Sequence, residues 1–146
     1  KKYNAGLFLM HKRGTPKDMQ KKLNPRANMV KEFDKFIEKR LKILKKMKFN
    51  LKKVWFDPGI GFGKTLNQNL QLMRSLSKYS HKNLQILLGS SRKSWINFID
   101  PSNADQRIGG SLASITHALQ QNVNTFRIHD VQETNQMIKV LRALNK

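Results

Sequence analysis

Four short apolar runs, each closing on a loop rich in glycine, serine or charge, alternate with stretches whose apolar residues recur every three or four positions. The first run, Gly6 to Met10, enters the polar segment His11-Lys12-Arg13-Gly14-Thr15-Pro16 and reads as a strand leading into a loop. From about Ala27 to Lys48, Val30, Phe33, Ile37, Leu41 and Leu44 mark one face of a helix. Lys31, Lys35, Lys39, Lys42 and Lys46 take the opposite face, with Glu38 one turn before Lys42 and placed to pair with it. Val54 to Asp57 is a second strand, stopped by Pro58 and the glycines at 59, 61 and 63. A helix over about Leu66 to Tyr79 turns Leu70, Met73 and either Leu76 or Ser77 inward. The third strand, Gln85 to Leu88, runs into Gly89-Ser90-Ser91-Arg92-Lys93-Ser94. A short segment, Trp95 to Ile99, and a polar loop precede a helix from about Gly110 to Gln121, and Thr125 to His129 forms the fourth strand. Asp130 and Glu133 have the N-cap and N3 spacing of a capping box, which opens a last helix to about Leu144.

Four βα units in succession call for a parallel sheet with helices packed on it. A doubly wound sheet and half of an eight-stranded barrel both fit, since a complete barrel takes about 250 residues and the chain has 146. One domain over residues 1–146 is expected, with no tandem repeat and no low-complexity linker.

Composition narrows the chemistry. The absence of cysteine excludes disulfides, thiolate catalysis and Cys-ligated metal. No apolar run approaches the ~18 residues of a membrane span, so no membrane is expected as partner. The chain opens Lys1-Lys2-Tyr3 without a signal-peptide core, as a soluble protein or a piece of one would. The net charge is +20, from 29 Lys plus Arg against 9 Asp plus Glu, and residues 1–56 hold 18 of the basic and 4 of the acidic side chains. Much of that excess follows the outer face of one amphipathic helix. No nucleic-acid-binding motif and no interleaved aromatics accompany it, so a basic nucleic-acid-binding module is kept only as an alternative.

In either architecture ligands gather at the C-terminal ends of the strands. Strand alternation puts Arg127 and His129 on one face, where the two cationic or donor groups would suit an anion; otherwise Arg127 pairs with an inner carboxylate and His129 satisfies a backbone carbonyl. Asp57 either accepts from a heterocycle with adjacent N–H groups or holds an Asx-turn over Pro58-Gly59. Gly59, Gly61 and Gly63 let a flat ligand approach the backbone, and Phe62 between them offers a ring surface. Gly63-Lys64-Thr65 fails as a Walker A motif, because position 58 is proline where that motif needs glycine. Ser91-Arg92-Lys93 sets a hydroxyl and two cations after a strand, as a binding loop or as solvated charge. Met10 reads most simply as core. His11, His81 and His117 have no metal-ligand spacing, and no metal is assigned to this chain's residues.

Taken together, Leu9-Met10-His11-Lys12-Arg13-Gly14-Thr15-Pro16-Lys17-Asp18-Met19-Gln20, Asp57-Pro58-Gly59-Ile60-Gly61-Phe62-Gly63-Lys64, Ser91-Arg92-Lys93-Ser94, Gly110-Ser111-Leu112-Ala113 and Arg127-Ile128-His129-Asp130-Val131 resemble the dihydropteroate synthase family. The likeness spans nearly the whole chain, and the Asp-Pro-Gly and Ser-Arg-Lys-Ser pair carries most of its specificity. The resemblance implies an α/β fold that is the C-terminal half of a TIM (β/α)8 barrel, strands five to eight. It implies an enzyme joining 6-hydroxymethyl-7,8-dihydropterin pyrophosphate to 4-aminobenzoate in folate synthesis, in cytoplasm or an organelle matrix. By the same resemblance Asp57 bonds the pterin ring, Met10 and Gly89 line its slot, Lys93 contacts the ring from above, and Gly61 is among the substrate-binding residues. Phe62 and Ser91 border the aminobenzoate with Arg92 beside that pocket, and Arg127 and His129 hold the leaving pyrophosphate, so that Lys93, Arg127 and His129 carry the chemistry. Magnesium is implied too, with its protein ligand in an N-terminal half that this sequence does not contain. The family's Gly-Ala before the last strand is Asn122-Val123 here, a change the fold should survive because Asn tolerates a left-handed turn. A half-barrel alone would leave two strand edges open and call for the N-terminal half-barrel or a homodimer partner. A non-catalytic remnant of the pterin-binding fold is the other alternative.

Overall fold

The computed structural model describes residues 3–15, 17–21, 23–80 and 84–145; Pro16 and His81, both singled out above, lie outside them. Its elements run β1 (Leu7–Met10), α1 (Met29–Lys46), β2 (Val54–Asp57), α2 (Leu66–Arg74), α3 (Ser77–Ser80), β3 (Gln85–Leu88), α4 (Ser94–Asn97), α5 (Ile108–Gln120), β4 (Thr125–Phe126) and α6 (Val131–Leu144). The strands form one parallel sheet in the order β1-β2-β3-β4. Consecutive order with every crossover in the same direction is the winding of a barrel; a doubly wound sheet reverses its order at a switch point. Among the described residues the outer edges of β1 and β4 are unpaired.

Strand alternation sorts the side chains into two layers. Leu7, Leu9, Val54, Phe56, Ile86, Leu88 and Phe126 pack with Met29, Phe33, Ile37 and Leu44 of α1 and Leu72 and Met73 of α2 to make the core. Phe8 and Met10 of β1, Trp55 and Asp57 of β2 and Leu87 of β3 take the other, concave face. There Phe8 packs on Trp55 with ring centroids 5.1 Å apart and is 62% exposed, as expected where half a barrel's interior is uncovered.

Several elements depart from the sequence reading. The helix expected over Leu66–Tyr79 breaks after Arg74: Ser75 Oγ donates back to Gln71 O (2.8 Å), and Ser77 N–H is captured by Gln121 Oε1 (3.1 Å), restarting the chain as α3. Helix α5 begins two residues early because a turn at Ala104–Arg107, capped by Asn103 and Gln106, feeds directly into it. The β4 ladder is shorter than expected, although Arg127 N–H still donates to Leu88 O (3.0 Å). Glu38 and Lys42 form no ion pair among the described residues. The capping box at Asp130 is absent, since that carboxylate is bonded to Arg92 instead. Asn122 does adopt the left-handed conformation, φ 62°. Its N–H and that of Val123 bond Leu119 O and Ala118 O at 3.0 Å each, a Schellman closure of α5. No described helix is long and apolar enough to cross a membrane.

Candidate active site

The loops after the four strands meet at one end of the sheet. Register sets Met10 beside Asp57, and His11 N–H donates to Asp57 O (2.9 Å), extending the ladder one residue past β1. Asp57 is buried; its Oδ1 accepts from Gly59 N–H (2.7 Å), the Asx-turn, while Oδ2 makes no hydrogen bond among the described residues. The turn and a ligand-facing carboxylate are therefore compatible, one oxygen serving each. The turn needs glycine: Gly59 has φ 65°, and a Cβ there would stand 1.9 Å from His11 O.

Lys93 reaches across from the β3 loop. Its Nζ donates to Ile60 O (2.6 Å) and lies 4.4 Å from the centre of the Phe62 ring, a cation–π contact, while its stem packs 3.3 Å from where a Cβ on Gly61 would be. Arg127 lies over Gly89, its Nη2 3.2 Å from the Cβ position that glycine leaves empty. Ser91 is buried, and its Oγ meets His129 at Nδ1 (3.1 Å) and N (3.4 Å). Met10, Asp57, Gly61, Phe62, Gly89, Ser91, Lys93, Arg127 and His129 thus belong to one rim. Arg92 belongs to it as a brace: at φ 55° its guanidinium turns back to hold Asp130 through Nε (3.0 Å to Oδ2) and Nη2, a two-pronged pair that ties the β3 loop to the start of α6.

Charge couples these groups. Burial pushes the Asp57 carboxyl up, and the Gly59 N–H and the positive charges of Lys93, Arg127 and Lys64 oppose that rise. Burial holds the Lys93 ammonium down at about 8, with Arg127 lowering it further and Asp57 working the other way. Arg92 keeps Asp130 below the usual carboxylate range. The rim therefore offers one open carboxylate oxygen beside two cations, set for a ligand with N–H groups at one end and negative charge at the other. Among the described residues no three His, Asp or Glu side chains cluster as a metal cage, and Asp130, the second carboxylate of the rim, is committed to Arg92. The residues present do not fit a magnesium site of their own.

Gln20 and Lys64 lie in the quoted motifs with no role assigned to them, and Asn69 lies outside them. Gln20 Nε2 donates to Gly61 O (2.6 Å) and Asn69 Oδ1 accepts from Gly61 N–H (2.8 Å), so that glycine is held on both sides. Lys64, 3% exposed, donates to His11 O, Gly59 O and Phe62 O at 3.2, 2.9 and 3.0 Å. A signal existed. A lysine just ahead of a helix N-terminus opposes the helix dipole and has to be held by something else.

Comparison with known proteins places the chain among relatives. The chain is 34% identical over 146 residues to the bifunctional dihydropteroate synthase/dihydropteroate reductase of Helicobacter pylori, covering all of this chain and 38% of that protein. It is 35% identical over 136 residues to the dihydropteroate synthase of Escherichia coli K12, covering 92% of this chain and 48% of that one. A Yersinia pestis dihydropteroate synthase structure with a sulfonamide drug superposes with a TM-score of 0.90 at 32% identity, over 99% of this chain and 52% of the other. The chain thus spans about half the length, or less, of these relatives. The model of the pterin binding enzyme family matches residues 1–129, most of the chain, and the chain is a member of that family.

Proposed function

We propose that this chain, residues 1–146, is a single partial pterin-binding domain that supplies the C-terminal half of a dihydropteroate synthase. The reaction condenses 6-hydroxymethyl-7,8-dihydropterin pyrophosphate with 4-aminobenzoate to 7,8-dihydropteroate and pyrophosphate. What carries the reading is geometric: Asp57 keeps one carboxylate oxygen open at the mouth where Lys93 packs on Gly61 and Arg127 lies over Gly89. In this proposal Asp57 Oδ2 accepts from pterin N–H groups, Met10, Gly61 and Gly89 bound the ring's slot, and Lys93 covers it. Phe62 and Ser91 border the aminobenzoate. Arg127 and His129 receive the diphosphate as the C–O bond to the pterin methylene breaks. The amine nitrogen bonds that carbon and releases a proton to solvent. Fixed donors aimed at the departing anion stabilise developing charge without reorganisation, commonly the largest single contribution to catalysis. Arg92 acts on the site through Asp130. Magnesium enters only as a companion of the diphosphate, held by groups outside this chain.

A completing half-barrel, or a second copy of this chain, is the partner this reading requires, and cytoplasm or an organelle matrix is its setting. The test mixes this chain with a separately expressed N-terminal half of a dihydropteroate synthase and supplies both substrates. Product should form, and Lys93→Ala and Arg127→Ala should each reduce it roughly 100-fold or more. Full activity in both variants would overturn the assignment. Pterin binding without turnover would favour the non-catalytic alternative.

A further inference from the structure

Lysine is almost never fully buried without a partner of opposite charge, yet Lys64 forms no ion pair among the described residues. Its three ammonium protons are matched instead by three main-chain carbonyls, those of His11, Gly59 and Phe62, within 3.2 Å. Convergent carbonyl dipoles around one positive centre are what a protein otherwise arranges for a potassium ion. They are also what a loop avoids when no cation is present, because like dipole ends repel.

Each carbonyl belongs to a residue that builds the rim. Gly59 donates its N–H to Asp57 Oδ1, Phe62 lies under the Lys93 ammonium, and His11 continues the ladder onto Asp57 O. Two of the three come from the loop after β2 and one from the loop after β1, so the ammonium closes the seam between them. Both sides of that seam are already in contact: besides Gly59 against His11, a Cβ on Gly63 would stand 2.4 Å from Arg13 O. With so little slack, a change in the carbonyl cage is passed directly to Asp57 and Phe62.

We propose that Lys64 is a positioning residue of the pterin site, a built-in monovalent cation that locks residues 58–63 against residues 11–13. The inference rests on the function proposed above for its consequence, but its structural half can be read without any ligand. Lys64→Met fills the same space and offers no donor; Lys64→Ala opens room for an added cation. Amide hydrogen exchange at Gly59, Gly61, Phe62 and His11 is measured in the full chain, with thermal unfolding as the control for global stability. Both variants should exchange at these amides roughly tenfold faster or more while the amides of α5 and α6 keep their rates. Methylammonium should restore protection in Lys64→Ala and leave Lys64→Met unchanged.

Titration with pterin-6-carboxylate then separates the two layers of the argument. Wild-type binding that falls about tenfold in Lys64→Met, and recovers with methylammonium in Lys64→Ala, supports the proposal in full. A wild-type chain that binds no pterin even with the completing N-terminal half present would sink the functional reading alone, while exchange and rescue still judge the lock. Unchanged loop exchange in Lys64→Met, or uniformly faster exchange with no effect of methylammonium on Lys64→Ala, would overturn the inference.

Discussion

Acid should weaken this chain through one imidazole. His11 is 7% exposed, lies 6.0 and 5.5 Å from the ring centres of Phe33 and Phe36, and has no hydrogen-bond partner at Nδ1 among the described residues. Burial, with the charges of Lys64 and Arg13 nearby, lowers its pKa from 6.5 to about 4. Between those values the unfolded chain binds a proton that the folded chain refuses. The contribution is therefore fully present above 6.5 and is lost as the pH falls toward about 4. At about 1.4 kcal/mol per pH unit, the gap comes to about 3 kcal/mol. The assay is urea unfolding across that range for the wild type and for His11→Leu, whose side chain does not titrate. Subtracting one profile from the other removes the carboxylates, which titrate in both. The wild type should lose about 3 kcal/mol more than the variant, and its His11 ring resonances should stay those of the neutral form until about pH 4. Parallel profiles, or an imidazole that titrates near 6.5, would refute the reasoning.

Three further outcomes follow from single contacts. Lys93 loses its charge as the pH rises through about 8, so calorimetric affinity for pterin-6-carboxylate, with the N-terminal half present, should fall across that value more steeply in the wild type than in Lys93→Met. Asn122 sits at φ 62°, so Asn122→Val should cost about 1–2 kcal/mol in thermal unfolding while Asn122→Gly changes little. Gly59→Ala would drive a methyl into His11 O, a backbone atom with no room to move, and should cost about 3 kcal/mol or more in urea unfolding.

The bounds of β2 and β3 were readable because both are short apolar runs, cut off by Pro58 and Gly89, punctuation that acts locally. Asn122 was readable for the same reason: a left-handed residue is a property of one position. What escaped was settled by partners distant in the chain. Asp130 and Glu133 have the spacing of a helix cap, but Arg92, 38 residues earlier, takes the carboxylate. The end of α2 turns on Gln121, 44 residues after Ser77. Lys64 stood in a failed phosphate loop and at the end of a family motif without a role of its own, because its partners are carbonyls, which every residue carries and no side-chain pattern displays. Within the rim, the residue types that converge were legible from their places after the strands. The division of labour between Arg92 and Arg127 was not, since both are arginines next to strand ends and only the fold says which one turns away.

Because the strands follow one another around the sheet in chain order, position along the polypeptide becomes a bearing around the rim. Moving from Asp57 through Lys93 to Arg127 is a sweep in one rotational sense, from the carboxylate to the far cation, with no doubling back. An insertion after any strand would therefore alter a single sector of the mouth and leave the other bearings as they were.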